Sequence, residues 1–189
     1  MYKSLTVAAA AALLWSGISA AAPTAYTIAS DHTYPSFEAP HMGISMWRAK
    51  FNKTSGSVML DEAAKTGTVD ISIDASSVDF GHDKMNDHAK GEDFFNVAKY
   101  PTVTYKGKIK YEDGKPDEVN GEMTLLGVTK PLKLEIDSFK CITHPMLKKE
   151  VCGADAEGEF NRADFGMTKY GEGDAGKVKL RIQVEALKN

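Results

Sequence analysis

Apolar and polar side chains alternate along most of this chain, and that period of two confines the fold to β-structure. Val69, Ile71, Ile73 and Ala75 alternate with Asp70, Ser72, Asp74 and Ser76. Successive strand side chains point to opposite faces, so such a run has one buried and one wet face. Val103, Tyr105, Ile109 and Tyr111 repeat the pattern with Gly107 in phase, and Glu112-Asp113-Gly114-Lys115-Pro116 reads as a turn. Val119, Met123 and Leu125 follow with Gly121 in phase, and Leu132, Leu134 and Ile136 come after a turn carrying Gly127 and Pro131. Ala154, Ala156 and Phe160 with Gly158, then Val178, Leu180, Ile182, Val184 and Ala186, complete the second half. Near the start, Tyr26 and Ile28, Phe37 and Ala39, and Trp47, Ala49 and Phe51 read as three weaker strands, and Val58 to Leu60 extends or follows the third.

About eight to nine strands with short connections predict one all-β domain, a closed barrel or a two-sheet sandwich. The in-phase glycines Gly107, Gly121 and Gly158 either permit close strand contact or leave interior volume unfilled. The single helical stretch is Asp83 to Val97, with an Asp at its N-cap, Met85, His88 and Ala89 on one face, and Gly91 interrupting it.

Residues 1–21 read differently. Lys3 is the sole charge before Asp31, an apolar run extends from Leu5 to Ile18, and Ser19, Ala20 and Ala21 supply small residues for cleavage. The run falls short of the roughly 20 residues that span a bilayer, so it is expected to be a cleaved signal peptide. Cleavage leaves residues 22–189, with 22 basic against 26 acidic side chains and a net charge of -4. That balance offers no basic surface for nucleic acid. Export to the periplasm puts Cys141 and Cys152 in an oxidising space, where a disulfide is expected, and a Cys/His site using His144 is the alternative.

Motifs for catalysis are missing: no G-x-S-x-G elbow, phosphate loop, G-x-G-x-x-G or H-E-x-x-H occurs. The expectation is a protein that is not an enzyme and holds no metal. His82 and His88, with Asp83 and Asp87 between them, suit helix capping better than acid–base work. Phe37, Phe80, Phe94, Phe95, Phe160, Phe165, Met85, Met123 and Met167 remain as lining for an apolar interior or as packing of a solid core.

Several segments, in order, resemble the YceI family of exported lipid-binding proteins. They include Asp31-His32 through Phe37, His41-Met42-Gly43-Ile44-Ser45, Asp87-His88-Ala89, Asp93-Phe94-Phe95-Asn96-Val97 and Tyr100-Pro101-Thr102-Val103. Asn120 through Pro131 and Phe160-Asn161-Arg162-Ala163-Asp164-Phe165-Gly166-Met167 continue the match. The resemblance implies a lipocalin-like, eight-stranded antiparallel β-barrel with short helical insertions. Its interior would bind a polyisoprenoid, quinone or fatty-amide lipid against the nine residues above and His88, with no other cofactor. Function would be that of a periplasmic carrier or scavenger, or alternatively a quinone-holding accessory to a membrane b-type cytochrome. Transient contact with a membrane or that cytochrome, and a homodimer, are compatible with either. Asp83–Val97 is expected to be a lid, with Met85, Phe94 and Phe95 beneath, Gly91 as hinge, and Asp87 or His88 at the ligand head.

Overall fold

The alternation folds into eleven strands that occupy eight positions in one closed antiparallel wall. The computed structural model describes residues 22–171 and 173–189; the expected signal peptide lies outside the described residues. The strands are β1 (Thr24–Ile28), β2 (Tyr34–His41), β3 (Ser45–Phe51), β4 (Thr54–Asp61), β5 (Thr66–Asp74), β6 (Val78–Asp79), β7 (Thr102–Glu112), β8 (Lys115–Leu125), β9 (Val128–Thr143), β10 (Glu150–Asn161) and β11 (Lys177–Lys188). Among the described residues the one α-helix, α1, is Asp83–Lys90. Hydrogen bonding runs β1-β4-β5-β7-β8-β9-β10-β11 and returns from β11 to β1, closing the ring.

β1 and β2 run in the same sense along β11, with Ile28 opposite Ala186 and Tyr34 opposite Gln183. They are one wall position interrupted at residues 29–33. β3 and β4 are likewise one position broken at Asn52–Lys53, and β5 and β6 one broken at Ala75–Ser77. The last two breaks are sealed to each other, with Asn52 N–H donating to Ser77 O (3.1 Å) and Asp74 N–H to Lys53 O (3.0 Å). The topology is therefore an up-and-down meander of eight, as the sequence resemblance implied.

Turn chemistry sets the register. Asp113-Gly114 and Leu126-Gly127 both carry positive φ at both residues, the two-residue hairpin turn whose twist matches its strands. Pro131 lies outside the second turn, within β9 opposite Glu122. The β9–β10 ladder stops at Glu135–Glu157, so the missing N–H of Pro131 breaks no bond on that side. The strands beside the cysteines are longer than the alternation suggested. Cys141 in β9 and Cys152 in β10 face each other directly and are joined as a disulfide, with Cα atoms 4.0 Å apart. His144 instead shapes the hairpin tip, its Nδ1 accepting from Met146 N–H (3.3 Å) and Leu147 N–H (3.1 Å).

The helix ends at Lys90, seven residues before the expected limit. Its N-cap is His82, which makes no side-chain cap bond, and residues 91–97 form turns in which Phe95 N–H reaches Ala89 O (2.9 Å).

Gly107 and Gly121 stand opposite each other on β7 and β8. Tyr105 explains the second. The end of its ring covers Gly121, where a Cβ would sit 2.6 Å from Cζ, and its hydroxyl proton is shared between the carbonyls of Val119 (3.1 Å) and Leu132 (3.0 Å). A Cβ on Gly158 would meet Leu134 Cδ2 at 2.7 Å. These glycines make room for neighbouring side chains, which is the steric one of their two readings.

Gly121→Ala is expected to destabilise the fold by about 1–3 kcal/mol through overpacking against Tyr105, measured by urea unfolding. A neutral Gly121→Ala would return that glycine to the unfilled-volume reading. Replacing both cysteines by serine is expected to remove about 3 kcal/mol on the loop-entropy model, with the native near-UV spectrum retained.

Candidate functional site

A cavity of about 820 Å³ runs through the barrel, walled by the inward phase of every strand position. Two ends of the wall differ. At one end the turns after β4 and β7 and the β9–β10 tip accompany the start of β1 and the end of β11. Tyr26 and Leu60 close this floor, both nearly inaccessible to solvent. Tyr26 hydroxyl donates to Glu150 Oε1 (2.7 Å), which also pairs with Lys188 Nζ (3.2 Å). Burial, then the neighbouring carboxylate, pushes the Tyr26 phenol up to about 12. Tyr111 donates to Glu62 Oε1 (3.1 Å) close by. The floor is latched by two phenol–carboxylate bonds.

The other end gathers the β2–β3 turn, α1 with the loop after it, and the connection from β10 to β11. Here the cavity lining includes Met42, 82% exposed, and Tyr170, 69% exposed. This end is the mouth.

An aromatic cluster shapes it. Phe37 meets Phe51 at a tilt and Phe80 and Phe95 edge-to-face, with ring centres 5.8–6.0 Å apart, and Phe51 lies edge-on to Phe95 at 5.4 Å. Ala89 of α1 packs into this cluster with Ala49 and Val78. The helix is further fixed by Asn86, which accepts from Phe80 N–H (2.7 Å) and donates to Asp79 (3.2 Å). Two hydrogen bonds on Asp79 from Gly81 and Asn52, with that of Asn86, hold its carboxyl below the ordinary range.

Of the residues singled out in the sequence, Phe37, Phe80, Met85, His88, Phe94, Phe95, Met123, Phe160 and Met167 all line the cavity. Met85, His88 and Ala89 share the face of α1 turned to it. His88 meets Phe94 edge-on at 4.9 Å. Phe165 stands apart, 2% exposed and packed edge-on against Phe160 at 5.3 Å, in the core outside the lining. Asp87 is exposed and also outside it. Gly91 has φ -70°, so the hinge position needs no glycine.

Among the polar groups of the lining that the sequence did not single out, two carry unpartnered buried atoms. Thr54 and Arg162 are buried, and their Oγ1 and Nε atoms have no hydrogen-bond partner among the described residues. Arg162 follows β10 directly and is 8% exposed. Its Nη2 donates to Tyr170 O, and its guanidinium carbon lies 5.8 Å above the Phe94 ring. Burial lowers its pKa from the ordinary value, and no carboxylate pairs with it among the described residues. A basic residue in a loop usually reads as solvated; the signal available was its place two residues after the inward-facing Phe160, in the same phase of β10. Lys169 and Asp93 form an ion pair that ties this connection to the loop after α1. Among the described residues no three His, Cys, Asp or Glu side chains gather as a metal site, and no helix is long and apolar enough to cross a membrane.

Comparison with known proteins places this barrel. The model of the YceI-like domain matches residues 26–186. Protein YceI of Escherichia coli O6:H1 is 34% identical over 99% of this chain and 98% of its own. The crystal structure of the Campylobacter jejuni YCEI protein superposes with a TM-score of 0.64 at 28% identity, covering 79% of this chain and 90% of that one. A polyisoprenoid binding domain from Saccharophagus degradans shares the fold, with a TM-score of 0.62 at 14% identity over 88% of this chain and 99% of its own. With an eight-position barrel, an apolar lumen and a match over most of its length, this chain belongs to the YceI-like domain family.

Proposed function

We propose that this protein is an exported, periplasmic carrier or scavenger that holds one long-chain isoprenoid-type lipid inside its barrel. The observation that carries the reading is the continuous apolar cavity of about 820 Å³, closed at the floor and reaching the surface at the mouth. Ligand pockets commonly measure about 300–1,000 Å³ and are mostly apolar with a few polar groups, which this cavity matches. Membership of the YceI-like family supports it, as does the shared fold of the domain described as polyisoprenoid binding. The leader-like composition of residues 1–21 and the Cys141–Cys152 disulfide support export.

Binding needs little chemistry. Each methylene moved from water into the barrel contributes about 0.8 kcal/mol, so ten contribute about 8 before chain ordering and association offset part of it. Phe37, Phe80, Phe94, Phe95, Met85, Met123, Phe160 and Met167 are the proposed contacts, with the methionines adapting to chain shape. α1 and the Phe94-Phe95 loop form the proposed lid, and Met42, Ile44 and Tyr170 give an exposed apolar rim by which a lipid enters from a membrane.

Organic extraction of protein taken from its native host, followed by mass spectrometry, is expected to release a long-chain lipid in near-stoichiometric amount. Met123 faces the lumen beside Tyr105, its partner on β7, so Met123→Trp is expected to cut that amount several-fold while thermal unfolding stays cooperative. A folded Met123→Trp protein carrying the wild-type load would refute the lumen as the binding site.

A further inference from the structure

A buried cation in an apolar cavity is costly unless something neutralises it. Arg162 has five N–H donors and one recorded acceptor, the Tyr170 carbonyl. Its Nε–H is buried without a partner, and its charge has no carboxylate beside it among the described residues. Asp93, in the loop after α1, is engaged by Lys169. The Phe94 face adds a cation–π contact, which leaves the hydrogen-bonding capacity unused. Fixing the Tyr170 carbonyl is a structural task that one neutral donor could perform. A permanently charged group at 8% exposure exceeds that need.

We propose that Arg162 is the counter-charge for an anionic head group, a carboxylate or phosphate, on the amphiphile whose chain fills the barrel. This rests on the barrel being the lipid site. The planar guanidinium matches carboxylate and phosphate oxygens in paired hydrogen bonds, and an anion cancels the buried charge. An alcohol or quinone oxygen accepts a hydrogen bond and leaves the charge standing. The position agrees with the chemistry. Arg162 lies at the mouth, between Phe94, Met167 and Tyr170, so a chain reaching towards Tyr26 would leave its head beside it. His88, in edge contact with Phe94, borders the same spot. The expectation that Asp87 or His88 meets the head shifts accordingly to Arg162, since Asp87 is outside the lining and carries the wrong sign for an anion.

The test compares hexadecanoate, hexadecyl phosphate and hexadecanol as displacers of a neutral naphthylamine fluorophore from the full mature chain at pH 8. The wild type is expected to bind the two anions about 10-fold or more tightly than the alcohol, as a charge-assisted hydrogen bond would give. Arg162→Met should collapse that ratio to within about twofold with the alcohol affinity little changed, and Arg162→Lys should keep part of it. A merely structural arginine would lower the melting temperature and all three affinities together, leaving the ratio intact. Equal binding of acid and alcohol by the wild type overturns the proposal even where Arg162→Met fails to fold. Competition of millimolar inorganic phosphate against hexadecanoate, but not against hexadecanol, would assign the site to a free anion and also overturn it. Failure of all three compounds to displace the fluorophore would instead bring down the barrel reading on which it rests.

Discussion

Closure of β11 onto β1 is the interaction on which the rest depends. An eight-position ring has no open edge, and its interior is just wide enough for side chains to fill or for one ligand to enter. Which of these happens is decided by where the large inward side chains lie. Tyr105 could plug the waist, yet Gly121 lets it lie along the wall, with its hydroxyl satisfied by two carbonyls. Filling is concentrated at the floor, where Tyr26 and Tyr111 find carboxylate acceptors. The same ring is therefore closed off at one end and hollow above it.

The hollow end exists because three consecutive wall positions break. At residues 29–33, 52–53 and 75–77 the strands interrupt, and the segments beyond, β2, β3 and β6, form a leaf with its own small core. α1 seats Ala89 in that leaf, and Lys169 with Asp93 joins the far side. A mouth built this way has a cover held by packing on one side and by an exposed ion pair on the other. Exposed pairs are screened by water and contribute little, so the loop after α1 can part from the segment carrying Lys169 more readily than α1 can leave Ala49, Phe51 and Val78.

Much of this was legible in the sequence. Inward positions could be read because a strand buries every second residue, and Val69 to Ile73 or Val178 to Ala186 keep that rhythm without a slip. The breaks left a subtler trace. Inward residues are even at Tyr26 and Ile28, odd at Phe37 to Phe51, and even again at Val58 and Leu60. Each change of parity marks an interruption or a bulge, as between Ile136 and Phe139 opposite the Asp155–Ala156 shift. Helix length was harder, because Phe94, Phe95 and Val97 are apolar for tertiary reasons and extend the pattern past Lys90. Phe165 shows the limit of composition, since an aromatic can serve the core beside a cavity as well as the cavity itself. Arg162 continues the inward phase of Phe160, but periodicity alone does not mark it as buried, because its burial depends on how the 162–171 segment folds back over it.

Affinity and selectivity separate naturally in such a barrel. Methylene burial acts on any chain of the same length, at about 0.8 kcal/mol each, and is blind to what terminates the chain. Apolar walls reject a wrong head group only weakly, as hydrophobic pockets generally do. A buried group with unmet hydrogen-bonding capacity behaves differently: a head that satisfies it removes a standing penalty, and one that does not leaves that penalty in the complex. Thr54 presents such a hydroxyl within the lining, and Arg162 presents a charge at the mouth. Because the penalty for an uncompensated charge exceeds that for a hydroxyl, discrimination concentrates at Arg162, while the length of apolar wall below it sets how much chain is held.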